Sequence, residues 1–266
     1  MKKIGLIGCG NIATAIVGGA VSAGCLKPEQ ITCFDIDSAK AAAFARDGMT
    51  VAASAGALAR EADVLFLTVK PQVFPAVIGE IRESVNRGAL IVTPAAGIKI
   101  AKVRELFGFD CRVIRVMPNT PLMYAAGATA MVRGAGVERE EFSFIQRIFS
   151  SCGVVAVVEE EMIDIVTGIS GSSPAFFMRF AREIILEGVR QGMNRDEAER
   201  LVVQTMAGTA KMMNESPNTV EELIQAVASP NGTTEAGLKT MDRLNFDRTC
   251  AEVTAAAIAR SRELSQ

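Results

Sequence analysis

Ile4-Gly5-Leu6-Ile7-Gly8-Cys9-Gly10-Asn11-Ile12-Ala13 places a G-x-G-x-x-A pattern close to the start of the chain. Gly8 permits a tight turn, Gly10 lets backbone approach a pyrophosphate, and Ala13 is small enough for close helix–strand packing. Lys3–Ile7 reads as a strand and Asn11–Ala23 as a helix. The first N–H groups of that helix, and its positive dipole end, would then face the phosphates. Ile7, Gly8, Gly10, Asn11 and Ile12 are the expected contacts. Asp35 closes the next expected strand at roughly the 20-residue distance where a ribose-binding acid is found. A carboxylate there accepts from ribose hydroxyls and repels a 2′-phosphate. No arginine adjoins it, and Asp37 adds further negative charge. The pattern therefore indicates a dinucleotide, NADH or NADPH, with NADH favoured. A solvated turn carboxylate is the plainer reading of Asp35.

Two further loops follow expected strands at their carboxyl ends, where open α/β sheets bind ligands. These are Val69-Lys70-Pro71 and Pro94-Ala95-Ala96-Gly97. The small residues of the second let a flat ring lie against backbone, while Lys70 also fits an ordinary surface position. Ser229-Pro230-Asn231-Gly232-Thr233-Thr234 enters a helix and offers a second anion site, suited to a carboxylate. Its threonine hydroxyls can add hydrogen bonds, although a capped turn without ligand fits the spacing equally.

The chain has 0 histidines. That excludes a Ser-His-Asp triad, a Cys-His pair and His-ligated zinc. Acid–base work falls to carboxylates, Lys, Tyr124, Cys, hydroxyls or water. Hydride transfer to a ketone needs a proton for the developing alkoxide. A protonated imine is already cationic and gives a neutral amine, so the composition favours C=N over C=O reduction. A lysine-based hydroxyacid dehydrogenase is the rival, but the helix after Ser173 carries Arg179 and no lysine before Lys211.

The 6 cysteines contain no C-x-x-C spacing, so neither a structural zinc site nor a redox dithiol is expected, and no metal is assigned. Scattered thiols read as small buried residues in a reducing cytosol, which gives a cytoplasmic expectation. With 28 Lys+Arg against 30 Asp+Glu, no bulk charge draws nucleic acid or an acidic membrane. Lys2 and Lys3 before an apolar stretch superficially resemble a signal peptide. Asn11 and the glycines at 5, 8, 10, 18 and 19 interrupt it, and no run is long and apolar enough for a membrane span.

The elements that position these residues change character along the chain. Lys3–Ile7, Ile31–Asp35, Met49–Ala52, Ala62–Val69, Ala89–Thr93, Cys111–Met117, Gly127–Arg133 and Val154–Val158 read as strands alternating with helices. This is the pattern of a parallel sheet covered on both faces. From Glu160 onward the apolar spacing is helical. Ser173-Pro174, Asn194 with Glu197, Thr219 with Glu222, Thr233-Thr234 and Asp247 mark helix starts. The expected fold is α/β, with a Rossmann-type dinucleotide-binding domain over 1–158 followed by an all-helical domain over 159–266. Largely apolar helices rich in small residues make a thin bundle alone insufficient and suggest a homodimer through the C-terminal helices.

In sum the motifs resemble those of the pyrroline-5-carboxylate reductase family. The resemblance is carried by the glycine loop, Val69-Lys70-Pro71, Ala95-Ala96-Gly97, Arg115-Val116-Met117-Pro118-Asn119-Thr120-Pro121, Val166–Ala175 and Ser229–Thr234. It implies NAD(P)H-dependent reduction of 1-pyrroline-5-carboxylate to L-proline, a helical dimerisation domain, and dimers able to assemble further. It also implies that Asn119 lies among the cofactor residues. The substrate would lie between the nicotinamide and the loop matching Ser229–Thr234. Ser229, Asn231, Gly232, Thr233 and Thr234 would hold it, with Glu160 as the acidic residue near it; Thr234 and Glu160 are the catalytic candidates. The chain departs from the family at Ser173, Phe176, Ala55, Gln225-Ala226 and Asn231. Asn tolerates left-handed backbone, so its replacement of a glycine can keep the turn. The departures keep two alternatives open: a reductase of another cyclic imino acid, and a catalytically inactive nucleotide-sensing paralogue.

Overall fold

A computed structural model describes residues 2–265. Among these residues eight strands form one sheet: β1 (Ile4–Ile7), β2 (Ile31–Phe34), β3 (Thr50–Val51), β4 (Val64–Leu67), β5 (Leu90–Thr93), β6 (Arg112–Pro118), β7 (Gly127–Arg133) and β8 (Gly153–Val157). Their spatial order is β3-β2-β1-β4-β5-β6-β7-β8. The strands alternate with α1 (Asn11–Ser22), α2 (Ser38–Arg46), α3 (Ala55–Glu61), α4 (Phe74–Ile81), α5 (Ile100–Phe107) and α6 (Arg139–Ser150). The short α7 (Ile163–Val166) follows β8.

The Rossmann-type expectation holds, with one local difference in the sheet. β6 and β7 pair antiparallel, while the other neighbouring strands pair parallel. Residues 119–126 between them are too few for a parallel crossover, which needs a dozen or more. Alternate residues of the buried strands feed two apolar layers. Ile4, Leu6, Val64 and Phe66 pack under α1, α2 and α6. Ile7, Leu65, Leu67 and Ile91 pack under α3, α4 and α5. Burial on both faces is why these strands read as continuous apolar runs. Phe66 is 1% exposed, and truncating such a ring to alanine costs about 3–5 kcal/mol.

Order reverses between β1 and β4: the chain builds β1, β2 and β3 to one side, then returns to place β4, β5 and β6 on the other. The carboxyl ends of the strands flanking this switch point form the crevice where such sheets bind ligands.

The chain divides into two compact units, Met1–Ser172 with Ala257–Gln266, and Ser173–Ala256. Relative to the expected division at 158/159, the segment 159–172 and the last ten residues stay with the sheet. Side chains of Glu160 and Asp164 account for this, as described below.

The second unit is helical. It contains α8 (Ser173–Arg190), α9 (Arg195–Glu215), α10 (Val220–Val227), α11 (Thr233–Arg243) and the start of α12 (Phe246–Leu264). The Asn194 side chain accepts from the amides of Asp196 and Glu197 and caps α9. Thr219 and Glu222 form a reciprocal capping box on α10. Gly188 of α8 faces Ala198 of α9, where an added Cβ would lie 3.7 Å from the alanine's own. Small residues thus let this helix pair close. Ala181, Ala198 and Leu223 are the buried apolar side chains of the unit among the described residues, whereas Phe177, Met178 and Leu201 are 60%, 63% and 58% exposed.

Candidate functional site

The glycine loop leaves β1 and enters α1. Gly8 has φ +99°, and a Cβ there would lie 3.0 Å from the Thr68 carbonyl, so only glycine fits the turn. Thr68 Oγ1 donates to the Gly8 carbonyl at 2.7 Å and fixes the loop from the end of β4. At Gly10 an added Cβ would meet nothing within 4 Å, which leaves open space beside the backbone. Gly10 is the N-cap of α1 and supplies no side chain to its first-turn amides. An uncapped helix start beside open space is what an anion needs. The Cys9 thiol inside the loop is held well above the usual thiol range, first by its hydrogen bond with Cys33 and then by burial. It therefore adds no negative charge to the loop.

Asp35 follows β2. Its Oδ2 accepts from the Cys9 amide at 2.7 Å and its Oδ1 from the Asp37 amide at 2.8 Å. The carboxylate is thus built into the loop, at the end of the second strand where such folds carry a ribose-binding acid. Asp37 caps α2 through the Ala39 amide. Ile36 beside it is 96% exposed.

Val69-Lys70-Pro71 leaves the end of β4, with Val69 and Pro71 partly buried and Lys70 exposed. Ala95-Ala96-Gly97 leaves the end of β5. Thr93 is fully buried and its Oγ1 accepts from the Ala95 amide at 3.1 Å. Gly97 has φ +76°, and a Cβ there would sit 2.6 Å from the Leu264 carbonyl oxygen. Asn119 follows β6. Its Oδ1 accepts from the Ala128 amide at 2.9 Å, and its Nδ2 donates to the Ser170 carbonyl at 3.3 Å. The carboxamide thereby joins the start of β7 to the π-helical turn Thr167–Gly171.

Glu160 starts the turn Glu160–Met162 ahead of α7. Its Oε1 accepts from the Ile100 amide at 2.8 Å and from Arg115 Nη1 at 3.0 Å. It thereby supplies the cap that α5 lacks from its own N-cap residue, Lys99. The Arg115 side chain is 3% exposed and that of Glu160 26%. A guanidinium so enclosed requires its counter-charge.

Ser229–Thr234 belongs to the helical unit and opens α11. Asn231 adopts φ +60°, the left-handed backbone that asparagine accepts in place of glycine. The Glu235 carboxylate reaches back to the Asn231 amide at 2.7 Å. Gly232 is the N-cap and contributes no side chain, so the amides that follow it have no side-chain cap.

The structure thus gathers Ile7, Gly8, Gly10, Asn11, Ile12, Asp35, Val69–Pro71, Ala95–Gly97 and Asn119 at the carboxyl edge of the sheet in the first unit, and places Ser229–Thr234 in the second. Sequence reasoning missed Thr68, the Arg115 partner of Glu160, and the Asp164 contacts with the C-terminus. The first two lay inside quoted or adjoining motifs. The last had no local signal.

Open space at Gly10, the uncapped α1 and the placement of Asp35 fit a nicotinamide dinucleotide. Among the described residues no helix is long and apolar enough to cross a membrane.

The family model described as "Pyrroline-5-carboxylate reductase dimerisation" matches residues 160–264, and one described as "NADP oxidoreductase coenzyme F420-dependent" matches 3–97. The pyrroline-5-carboxylate reductase of Escherichia coli (strain K12) is 36% identical over 266 residues, covering 100% of this chain and 99% of its own. The solved pyrroline-5-carboxylate reductase of Coxiella burnetii superposes with a TM-score of 0.92 at 30% identity, covering 100% of this chain and 99% of that one. The Plasmodium falciparum pyrroline carboxylate reductase, solved with NADP bound, gives 0.89 at 27% identity over 100% and 98%. With a relative this similar along its entire length, the chain belongs to the pyrroline-5-carboxylate reductase family.

Proposed function

We propose that this chain reduces 1-pyrroline-5-carboxylate to L-proline, with NADH preferred over NADPH, as a cytoplasmic homodimer joined through its helical unit. The observation that carries the reading is the full-length similarity to the Escherichia coli reductase.

When bound, the reduced nicotinamide supplies hydride to the ring carbon of the imine. Protonated C=N accepts hydride and becomes a neutral amine, so the step needs no proton donor. That suits a chain with 0 histidines. The protein's task is alignment. The amides at the start of α1 hold the pyrophosphate, and Lys70 adds positive charge beside it. Asp35 takes the ribose hydroxyls, and Ala95–Gly97 presents flat backbone to the nicotinamide. The amides that open α11 take the substrate carboxylate, with Thr233 and Thr234 adding hydroxyls; Thr234 serves the ring nitrogen. Glu160 supports the site through Arg115 and the start of α5.

The NADH preference rests on Asp35, whose charge opposes a 2′-phosphate. The dimer rests on the helical unit, where Phe177, Met178 and Leu201 stay exposed while few apolar side chains are buried. A second copy covering that face removes it from water.

Steady-state kinetics with both coenzymes and with five- and six-membered cyclic imino acids test the reading. Expected is turnover of the five-membered substrate, with a higher kcat/KM for NADH. Higher kcat/KM on the six-membered ring transfers the assignment to another cyclic imino acid. Coenzyme uptake without any turnover makes the chain a nucleotide sensor.

A further inference from the structure

The turn carrying Glu160 has a second arm. Asp164, one helical turn on, points its carboxylate at the C-terminus of the chain. Its Oδ1 accepts from Ser261 Oγ at 2.6 Å and from Ser265 Oγ at 2.9 Å. Both serines are 6% exposed. The Ser261 bond has the length of a charge-assisted one, while the Ser265 hydroxyl lies 2.9 Å from both Asp164 Oδ1 and the Ser261 carbonyl and divides its one hydrogen between them. Between these serines lies Leu264, whose carbonyl oxygen occupies the position a Gly97 side chain would need. Glu160 holds the other end of the same segment, at the Ile100 amide. The loop after β5 is therefore bracketed, with the end of α12 against Gly97 and the start of α5 on Glu160.

We propose that Asp164, Ser261 and Ser265 form a C-terminal clasp that positions the Ala95–Gly97 loop for the nicotinamide half of the coenzyme. These are positioning residues, acting through Leu264 and Gly97. The inference rests on the dinucleotide reading of the first unit, and it gives the last turn of the chain a role in coenzyme binding. Only glycine suits position 97, because the backbone is left-handed there and the Leu264 carbonyl fills the Cβ position. Release of the terminal turn removes the surface that the loop packs against.

Two probes separate local positioning from general damage. ADP-ribose meets the glycine loop and Asp35 but has no nicotinamide, whereas NADH engages both halves. Dissociation constants are measured by titration calorimetry on the full chain without substrate. In Ser261→Ala/Ser265→Ala and in Asp164→Ala, the NADH constant is expected to rise about tenfold and the ADP-ribose constant to stay within about twofold. Asp164→Asn keeps an acceptor oxygen and is expected to recover most of the NADH affinity. Ser265→Ala alone, retaining the Ser261 bond, is expected to give about a threefold rise and serves if the double variant does not fold. Parallel weakening of both ligands, or unchanged NADH affinity in the folded variants, overturns the clasp. Failure of the unsubstituted chain to bind either ligand overturns the coenzyme reading itself, and the clasp with it.

Discussion

Asp35 Oδ2 accepts the Cys9 amide hydrogen at 2.7 Å, so the end of β2 sets the shape of the glycine loop. One carboxylate thus shapes the glycine loop and, on the proposed reading, also meets the ribose. Asp35→Asn keeps an acceptor for Cys9 while removing the charge that opposes a 2′-phosphate. The expected outcome is a fall of about tenfold or more in the ratio of kcat/KM with NADH to that with NADPH, read from paired steady-state assays. An unchanged ratio removes Asp35 from coenzyme discrimination.

Glu160 is tied to Arg115 and Ile100 through one oxygen. Glu160→Gln keeps an acceptor and leaves the Arg115 charge enclosed without its partner. A loss of about 3 kcal/mol is expected in denaturant unfolding. The pH profile of kcat keeps its shape, because the residue acts through its neighbours. Disappearance of one limb of that profile would instead make Glu160 a proton-transfer group.

Thr234 sits in the first turn of α11, behind an N-cap that has no side chain. Thr234→Ala leaves the proposed coenzyme residues of the first unit unchanged. It is expected to lower turnover by about tenfold or more while changing NADH affinity less than about twofold. Kinetics and calorimetry on one preparation check it; equal losses in both count against the role.

Cys111 lies buried just before β6, and its thiol is pushed up to about 11, chiefly by burial. The folded state therefore keeps a proton that the unfolded chain releases from about pH 9. Below that range the contribution is fully present, and it declines as pH rises through 11. Wild type should lose up to roughly 2 kcal/mol more stability than Cys111→Ala between pH 8 and pH 11. Urea unfolding at the two pH values reads the difference, and identical losses would assign the alkaline instability elsewhere.

Much of the site was legible because its signals are local. Gly8 is demanded by one turn, Gly10 and Ala13 complete the short motif around it, and Asp35 follows the next strand. Asn231 shows its meaning through a left-handed φ that few other side chains adopt. Glu160 was harder to read. Within a run of three glutamates nothing marked it as the one joined to Arg115, since that pairing spans 45 residues of sequence. The antiparallel turn of β7 was encoded only in the shortness of residues 119–126, which apolar patterning does not register.

Composition and motif spacing by themselves determined the alternating sheet-and-helix order, the phosphate loop, the absence of histidine chemistry and the helical second half. Each follows from short-range backbone geometry or residue type. Tertiary folding alone decided that Asp35 also secures Cys9, that Glu160 caps a helix sixty residues away, and that Asp164 anchors the last turn beside Gly97. Those pairings are fixed by how the sheet stacks its loops along one edge, a three-dimensional neighbourhood with no counterpart in linear spacing.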